Sequence, residues 1–280
     1  MFVRTADILW GGAGLAGYLP WVPVHIPTSV YSLPLPLAED VGGWDAGPGA
    51  IGEDMHMLLK CYFSSRDGLV TVPIFSPASQ CNISAGPTNN AVSQVYASLH
   101  ARYKQALRHM WGSLDFGYSV HRALQNRRPR LTYIPLFHLL WEAHILPTHF
   151  VILLFGSAFY TLTHSAADIH PLIIHALHLC TLLRNSSFFI MQVAFTIYHY
   201  YHSLCVNARA RDMHAAGIPE TFAYRQQWRW KYILERASFP VIAVLFSAIP
   251  TIQAQVGHFW TDRLVYHVSL KPVAASGSMV

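Results

Sequence analysis

Two patterns of apolar and polar positions divide the chain near residue 130. Residues 1–130 mix short apolar pieces with polar and Gly/Pro-rich stretches, whereas residues 131–280 hold long apolar runs. In the first part, apolar residues at helical spacing predict helices, and alternating β-branched residues predict strands. The predicted helices are Leu35–Val41, Glu53–Phe63 and one long helix over Ser93–Leu124, and the predicted strands are Ile26–Tyr31 and Gly68–Phe75.

The second part predicts a helical membrane region. Leu146–Thr163 is an uncharged run that suits one span, and Ser186–His202 predicts a second, after a shorter piece that ends at Arg184-Asn185. The run Phe239–Ile252 is apolar but short of the roughly 20 residues that a span needs, so it predicts a re-entrant or tilted helix. The polar, basic segment 207–235 predicts a loop.

The composition indicates a membrane protein and argues against nucleic acid as a partner. Charged residues make up only 12% of the 280 residues, and hydrophobic residues make up 52%. The net charge of +5 comes mostly from Arg and Lys beside the apolar runs, which is the distribution that sets membrane orientation. We therefore expect a multi-pass protein of an endomembrane or the plasma membrane, with residues 1–130 and the basic loop in the cytosol.

Two short motifs carry the candidate chemistry. They are Gly-Gly-Trp-Asp at residues 42–45 followed by Gly-Glu-Asp at 52–54, and Gln-Ala-Leu-Arg-His-Met-Trp-Gly at 105–112. Acidic residues in the first turn of a helix are favoured by its dipole, so Glu53 and Asp54 taken alone fit a helix N-terminus as well as a site. Gln105 and Arg108 are one helical turn apart and share a face.

With these motifs in this order before the apolar runs, the chain resembles family 2 glycosyltransferases of the membrane-synthase type, the group of cellulose, chitin and hyaluronan synthases. The likeness covers nearly the whole chain and is nearest to fungal integral-membrane glycosyltransferase-like proteins. It implies an α/β, GT-A-like nucleotide-sugar transferase domain used in polysaccharide synthesis. Residues 1–130 would be the C-terminal half of that domain, and residues 131–280 an α-helical transmembrane region with two or three helices.

The resemblance also implies a role for each motif. Asp54 would be the catalytic base that deprotonates the acceptor hydroxyl in an inverting transfer, with Glu53 beside it. Gln105 and Arg108 would contact the donor diphosphate and the acceptor. The other implied substrate-binding residues are Gly43, Trp44, Asp45, His109 and Trp111. The implied partners are a nucleotide-sugar donor, a glycan or lipid-linked acceptor, and the lipid bilayer.

The chain departs from the family pattern in two respects. His109 stands where the synthases have Trp, and Trp111 follows two residues later, which leaves open which ring stacks on a sugar. No Asp-x-Asp motif occurs in the chain, although the family uses that motif to hold a divalent cation, Mg or Mn, on the donor phosphates. We therefore expect an N-terminally truncated form that has no metal site of its own and is inactive as it stands.

The same residues also have interpretations without chemistry. Arg108 can extend its charge to a membrane surface, Trp111 can be an interface aromatic, and Gln105 can be a plain exposed residue. Trp44 and Asp45 can form a packed turn.

Two other classes of protein remain as alternatives. One is a non-catalytic membrane scaffold. The other is a His-rich membrane metal enzyme or transporter, because imidazoles are good ligands for transition metals. The metal alternative depends on two His pairs, His175/His178 and His199/His202.

Overall fold

The computed structural model describes most of the chain, in segments. The described residues are 3, 5–9, 24–27, 30–45, 52–65, 68–74, 76, 90–126, 131–165, 169–217, 230–261 and 264. Their regular structure is helical, and we number the α-helices in chain order. They are α1 Leu35–Asp40, α2 Glu53–Ser64, α3 Ala91–Trp111, α4 Leu114–Gln125, α5 Tyr133–His144, α6 Leu146–Thr163, α7 Pro171–Ala215, α8 Trp230–Ala243 and α9 Ile249–Gly257.

The predictions of α1, α2 and α6 are confirmed to within a residue at each end. In α2, Glu53 and Asp54 occupy the first turn, and the buried residues Met57, Leu58 and Cys61 recur at helical spacing. Acidic residues in the first turn and one apolar stripe are two sequence features typical of an amphipathic helix, and this segment has both.

The single long helix predicted over Ser93–Leu124 is wrong at its centre. The structure divides it into α3 and α4 at Gly112 and Ser113. The amide of Ser113 donates to the carbonyl of Met110, and the amide of Asp115 donates to the carbonyl of Gly112, so short turns replace the helical ladder. Glycine followed by serine is a weak helix-forming pair, which favours a break at this position.

The predicted strands are not found among the described residues. In residues 68–74 the exposure alternates, with Leu69, Thr71 and Pro73 partly buried and the residues between them exposed. The amide of His25 donates to the Thr71 hydroxyl at 2.7 Å, so a side chain takes the place of a ladder partner. The alternating pattern is therefore present, but a strand also needs a ladder of backbone hydrogen bonds, and no such ladder is assigned to the described residues of either segment.

The second apolar helix is longer than expected, and its predicted interruption is wrong. Pro171–Ala215 is one helix of 45 residues, so Arg184 and Asn185 do not break it, and the predicted loop 207–235 begins inside α7. Arg184 lies on an exposed side of α7, where its long side chain leaves the backbone ladder intact. Residues 218–229 of the predicted loop lie outside the described residues.

The last apolar run is long enough to span a membrane, which corrects the prediction of a short helix. A π-helical turn, Val244–Ala248, joins α8 to α9 without a break. Pro250 has no N–H to donate to the preceding turn, and the helix adopts the wider π turn next to it. By length and composition, three helical stretches could cross a membrane: Leu146–Thr163, Pro171–Asp212 and Ile233–Gly257.

Two sets of packed side chains tie the first half of the chain to the second. Buried Leu58, Leu59 and Tyr62 of α2 pack against Leu136 and Leu140 of α5. A separate set joins α3 to the last helical region: Ala106 packs with Ile242 and Phe246, and Met110 and Trp111 pack with Ala254. The two motif-bearing helices, α2 and α3, are thus fixed on the apolar half rather than joined to it by a free linker.

Candidate functional site

The start of α2 and the end of α3 lie against each other, so the two sequence motifs meet. Gly52 precedes α2 with φ of 80°, a left-handed conformation that favours glycine. A Cβ placed on Gly52 would lie 3.8 Å from the Cα of Gly112, the last residue of the second motif. Asp54 in the first turn of α2 is therefore held near the C-terminal end of the helix that carries Gln105 and Arg108.

Asp54 is half-buried in an acidic neighbourhood. Its Oδ1 accepts a hydrogen bond from the amide of Met55 at 2.8 Å. Burial raises the pKa of the Asp54 carboxyl above its ordinary 3.8, and the nearby charges of Glu53 and Asp115 raise it further, against the lowering effect of the backbone hydrogen bond. A carboxylate whose pKa is raised holds a transferred proton more readily, which is the property that a general base requires.

The loop that carries Gly43, Trp44 and Asp45 is anchored to α2 by one lysine. Lys60 Nζ donates to the carbonyl of Gly43 at 2.6 Å and to Asp45 Oδ1 at 2.9 Å. Trp44 donates its ring N–H to the Tyr31 hydroxyl at 2.8 Å, while 47% of the residue stays exposed. The predicted sugar-stacking ring at Trp44 is therefore accessible and fixed at one edge.

His56 and Asp115 complete this cluster, and the sequence motifs did not identify either of them. His56 Nδ1 lies 2.7 Å from Asp115 Oδ1, and its Nε2 lies 3.7 Å from Asp45 Oδ2. Asp115 is 5% exposed, and its second oxygen, Oδ2, is buried without a hydrogen-bond partner. The available signal was the sequence Glu-Asp-Met-His, which puts His56 only two residues after the proposed base.

The predicted diphosphate-binding residues lie one turn apart on α3, as expected. Gln105 accepts a hydrogen bond from Arg102, and Arg102 is a buried arginine whose other nitrogen, Nη2, lies 2.9 Å from Asp7 Oδ1. Arg108 is half-buried on the same helix. Arg102 thus orients the Gln105 amide and links α3 to residues 5–9, a contact that sequence spacing alone did not show.

His109 is exposed and lies near a buried histidine, His144. The side chain of His109 is accessible, yet desolvation by the surrounding protein, with the charges of Arg108 and Arg102, lowers its pKa to about 4. His144, the last residue of α5, is 5% exposed, neither ring nitrogen has a hydrogen-bond partner, and burial lowers its pKa to about 4. Both rings are therefore neutral at physiological pH.

Trp111 is a packing residue in this structure. It is 6% exposed, its ring lies 4.3 Å from the His258 ring between centroids, and His258 Nε2 lies 3.0 Å from the Trp111 carbonyl oxygen. A Cβ on Gly257 would lie only 2.8 Å from the Trp111 ring atom Cη2. Stacking of Trp111 on a sugar stays a prediction, and of the two tryptophans Trp44 presents the accessible ring.

The described residues do not form a metal centre. No group of three or more His, Cys, Asp or Glu side chains is arranged to hold an ion in this part of the chain. The two histidine pairs of the metal alternative lie on one continuous helix, 24 residues apart from His175 to His199, which is about 36 Å at the helical rise. They therefore do not form one site within the chain.

Comparison with known proteins assigns the family. The model of the group described as "Glycosyl transferase family group 2" matches residues 4–208, which include both motifs, α1 to α6 and most of α7. No curated protein and no solved structure matches the chain. The match covers well over half of the chain and supports a GT-A-like nucleotide-sugar transferase fold for the matched part. The chain belongs to glycosyltransferase family group 2.

Proposed function

We propose that the protein is an integral-membrane glycosyltransferase that moves a sugar, with inversion, from a nucleotide-sugar donor to a glycan or lipid-linked acceptor. The observation that carries this proposal is the approach of Gly52 to Gly112, which holds Asp54 beside the helix of Gln105 and Arg108 in a chain of this family. A carboxylate and a phosphate-binding cation must meet in one cleft for such a reaction, and these two motifs supply them.

In the proposed reaction Asp54 acts on the acceptor. The acceptor oxygen forms a bond to the anomeric carbon while the bond from that carbon to the diphosphate oxygen breaks, and the diphosphate leaves with the electron pair. The proton of the acceptor hydroxyl passes to the Asp54 carboxylate. The raised pKa of Asp54 favours this transfer, and the hydrogen bond from the Met55 amide to Oδ1 orients the carboxylate.

Arg108 and Gln105 act on the leaving group in the same proposal. The Arg108 guanidinium would neutralise charge on the diphosphate, and an arginine suits this task because its planar fork matches phosphate oxygens. Gln105 accepts its hydrogen bond from Arg102, which leaves the amide NH₂ group as the donor for a substrate oxygen. His109, neutral at physiological pH, adds a polar but uncharged wall.

A divalent cation on the donor phosphates belongs to the family expectation, but the described residues do not fit one. The three carboxylates nearest the site, Asp45, Asp54 and Asp115, do not converge with other ligands in a metal-binding group. His56 instead lies between Asp45 and Asp115. We therefore derive no step through a metal ion.

The membrane part of the proposal depends on the three candidate spans. Pro171–Asp212 would be about 63 Å long at the helical rise, twice the hydrocarbon thickness, so its C-terminal part with Arg209 and Arg211 would extend beyond the bilayer. We propose that these arginines and the motif-bearing residues 1–130 share the cytosolic side. Resistance of the protein to extraction from membranes by alkaline carbonate would support the spans, and release into the supernatant would contradict them.

Product formation from a labelled nucleotide sugar tests the reaction. Membranes that contain the chain are incubated with a panel of nucleotide sugars and either Mg or Mn, and glycan and lipid fractions are collected. If the wild type forms product, Asp54→Asn should abolish it, while Glu142→Gln, which changes an exposed carboxylate of α5, should leave it unchanged. Product from the wild type would overturn the expectation of inactivity. Donor binding without product would favour the non-catalytic scaffold.

A further inference from the structure

His56 of α2 lies between two carboxylates that belong to different parts of the site. Nδ1 faces Asp115 Oδ1 at 2.7 Å, and Nε2 faces Asp45 Oδ2 at 3.7 Å. A neutral imidazole carries one N–H and would direct a lone pair at one of these oxygens, whereas an imidazolium donates from both nitrogens. The geometry is therefore complementary to the protonated ring.

The contacts of His56 join three elements. Asp115 lies in the first turn of α4, and Asp45 directly follows Trp44, whose ring is accessible. Lys60, one turn further along α2, holds the same loop through Asp45 and the Gly43 carbonyl. The loop thus has two anchors on α2, Lys60 and His56, and an imidazole is a group that can change its charge near neutral pH.

We propose that His56 is a positioning residue whose protonated ring holds the loop of residues 43–45 against α2 and α4, and whose deprotonation loosens that loop beside Asp54. The catalytic consequence, a less ordered sugar-contacting Trp44 at higher pH, rests on the proposed function. The structural claim does not, because it concerns the loop alone.

The charges around the ring set the direction of the switch. The hydrogen bond with Asp115 raises the pKa of His56 above its ordinary 6.5 as the largest effect, desolvation opposes it, and the charges of Asp115 and Asp45 raise the pKa while Lys60 lowers it. Among the described residues, the Tyr118 ring of α4 also faces His56, with 4.7 Å between the ring centroids. Since the pKa of His56 is raised in the folded protein, its charged contacts with Asp115 and Asp45 are fully formed below pH 6.5. They are lost as the pH rises through the pKa of His56 in the folded protein.

The Trp44 ring can report this switch directly. The protein is labelled with 5-fluorotryptophan, purified in detergent, and followed by ¹⁹F NMR from about pH 5 to pH 9, a range that brackets the imidazole transition. Trp44→Phe assigns one resonance among the eight tryptophans. We expect the Trp44 resonance to shift through one transition centred above the ordinary imidazole pKa.

Two isosteric variants separate the contacts of His56. Asn places its amide near the position of Nδ1, so His56→Asn keeps the Asp115 contact, and Gln places its amide near Nε2, so His56→Gln keeps the Asp45 contact. Neither titrates, and both should abolish the Trp44 transition. His121→Asn is the matched control, because it changes an exposed histidine that is hydrogen-bonded to Gln125. This variant should keep the Trp44 transition.

A third variant keeps the test decisive where a His56 substitution fails to fold. Asp45→Asn removes a charge that raises the pKa of His56, so the Trp44 transition should move to lower pH. A Trp44 resonance that does not move across the pH range, or a transition that survives unchanged in His56→Asn or Asp45→Asn, overturns the proposal. Because none of these measurements needs a substrate, a failure of the proposed glycosyl transfer would appear separately, as absent donor binding with the Trp44 transition intact.

Discussion

The contact between Gly257 and Trp111 leads to a prediction that tests how the candidate site is supported. Trp111 ends α3 one turn after Arg108, and its ring is pressed against the backbone of α9 at Gly257. A methyl group at residue 257 would stand 2.8 Å from Cη2 and 3.0 Å from Cζ3 of a ring that is almost fully buried. Real side chains do not approach so closely, so Gly257→Ala must displace either the ring or the end of α9.

The expected cost follows from overpacking. Forcing an extra carbon into a filled site costs about 1–3 kcal/mol, which corresponds to a fall of several degrees in the melting temperature of a protein of this size. The higher helix propensity of alanine, worth up to about 1 kcal/mol, opposes this loss only in part. Gly117→Ala in α4 is the matched control, because a Cβ there has nothing within 4 Å, and it should be neutral or stabilising.

Thermal unfolding in detergent, followed by tryptophan fluorescence, measures both variants. Trp111→Phe removes the ring atoms that Gly257→Ala would meet, so the double variant should lose less stability than the sum of the two single variants. Gly257→Ala should also weaken donor binding, because Trp111 fixes the end of the Arg108 helix. A melting temperature for Gly257→Ala equal to that of Gly117→Ala, or strict additivity in the double variant, would refute the argument.

Three further predictions concern charge. Arg102→Met should destabilise the protein by about 1–3 kcal/mol, measured as a lower melting temperature, because it removes a buried cation and leaves the partly exposed Asp7 unpaired. Stability should fall as the pH drops from 6.5 towards 4. The unfolded chain takes up a proton on His144 near pH 6.5, whereas burial in the folded protein lowers the pKa of His144 to about 4. His144→Phe should flatten that pH dependence. If product forms, its rate should fall at low pH with a midpoint above 3.8, because the pKa of Asp54 is raised, and Asp115→Asn should move this midpoint down.

The sequence predicted the elements whose signals are local. The amphipathic stripe and acidic first turn of α2 and the uncharged run of α6 are properties of consecutive residues, so their bounds were predicted closely. The break at Gly112 and the continuity of α7 past Arg184 were not predicted. Propensities differ little at both places, so a Gly-Ser pair or a single arginine does not by itself show whether a helix continues.

The contacts around the candidate site could be predicted only in part, for a similar reason. Asp54, Arg108 and Gln105 belong to short motifs, and the fold brings those motifs together. The pairing of His56 with Asp115 joins residues that are 59 positions apart and depends on how α4 turns after the break at Gly112. No spacing rule predicts such a contact.

Binding of the donor tests the central claim most directly. Calorimetric titration of nucleotide sugars into the purified wild type, Asp54→Asn and Arg108→Ala separates the role of the diphosphate contact from that of the base. The account predicts equal affinity for the wild type and Asp54→Asn, and affinity about tenfold to a hundredfold weaker for Arg108→Ala, since a charge-assisted contact to phosphate is lost. No detectable nucleotide-sugar binding by the wild type, or unchanged affinity in Arg108→Ala, would contradict it.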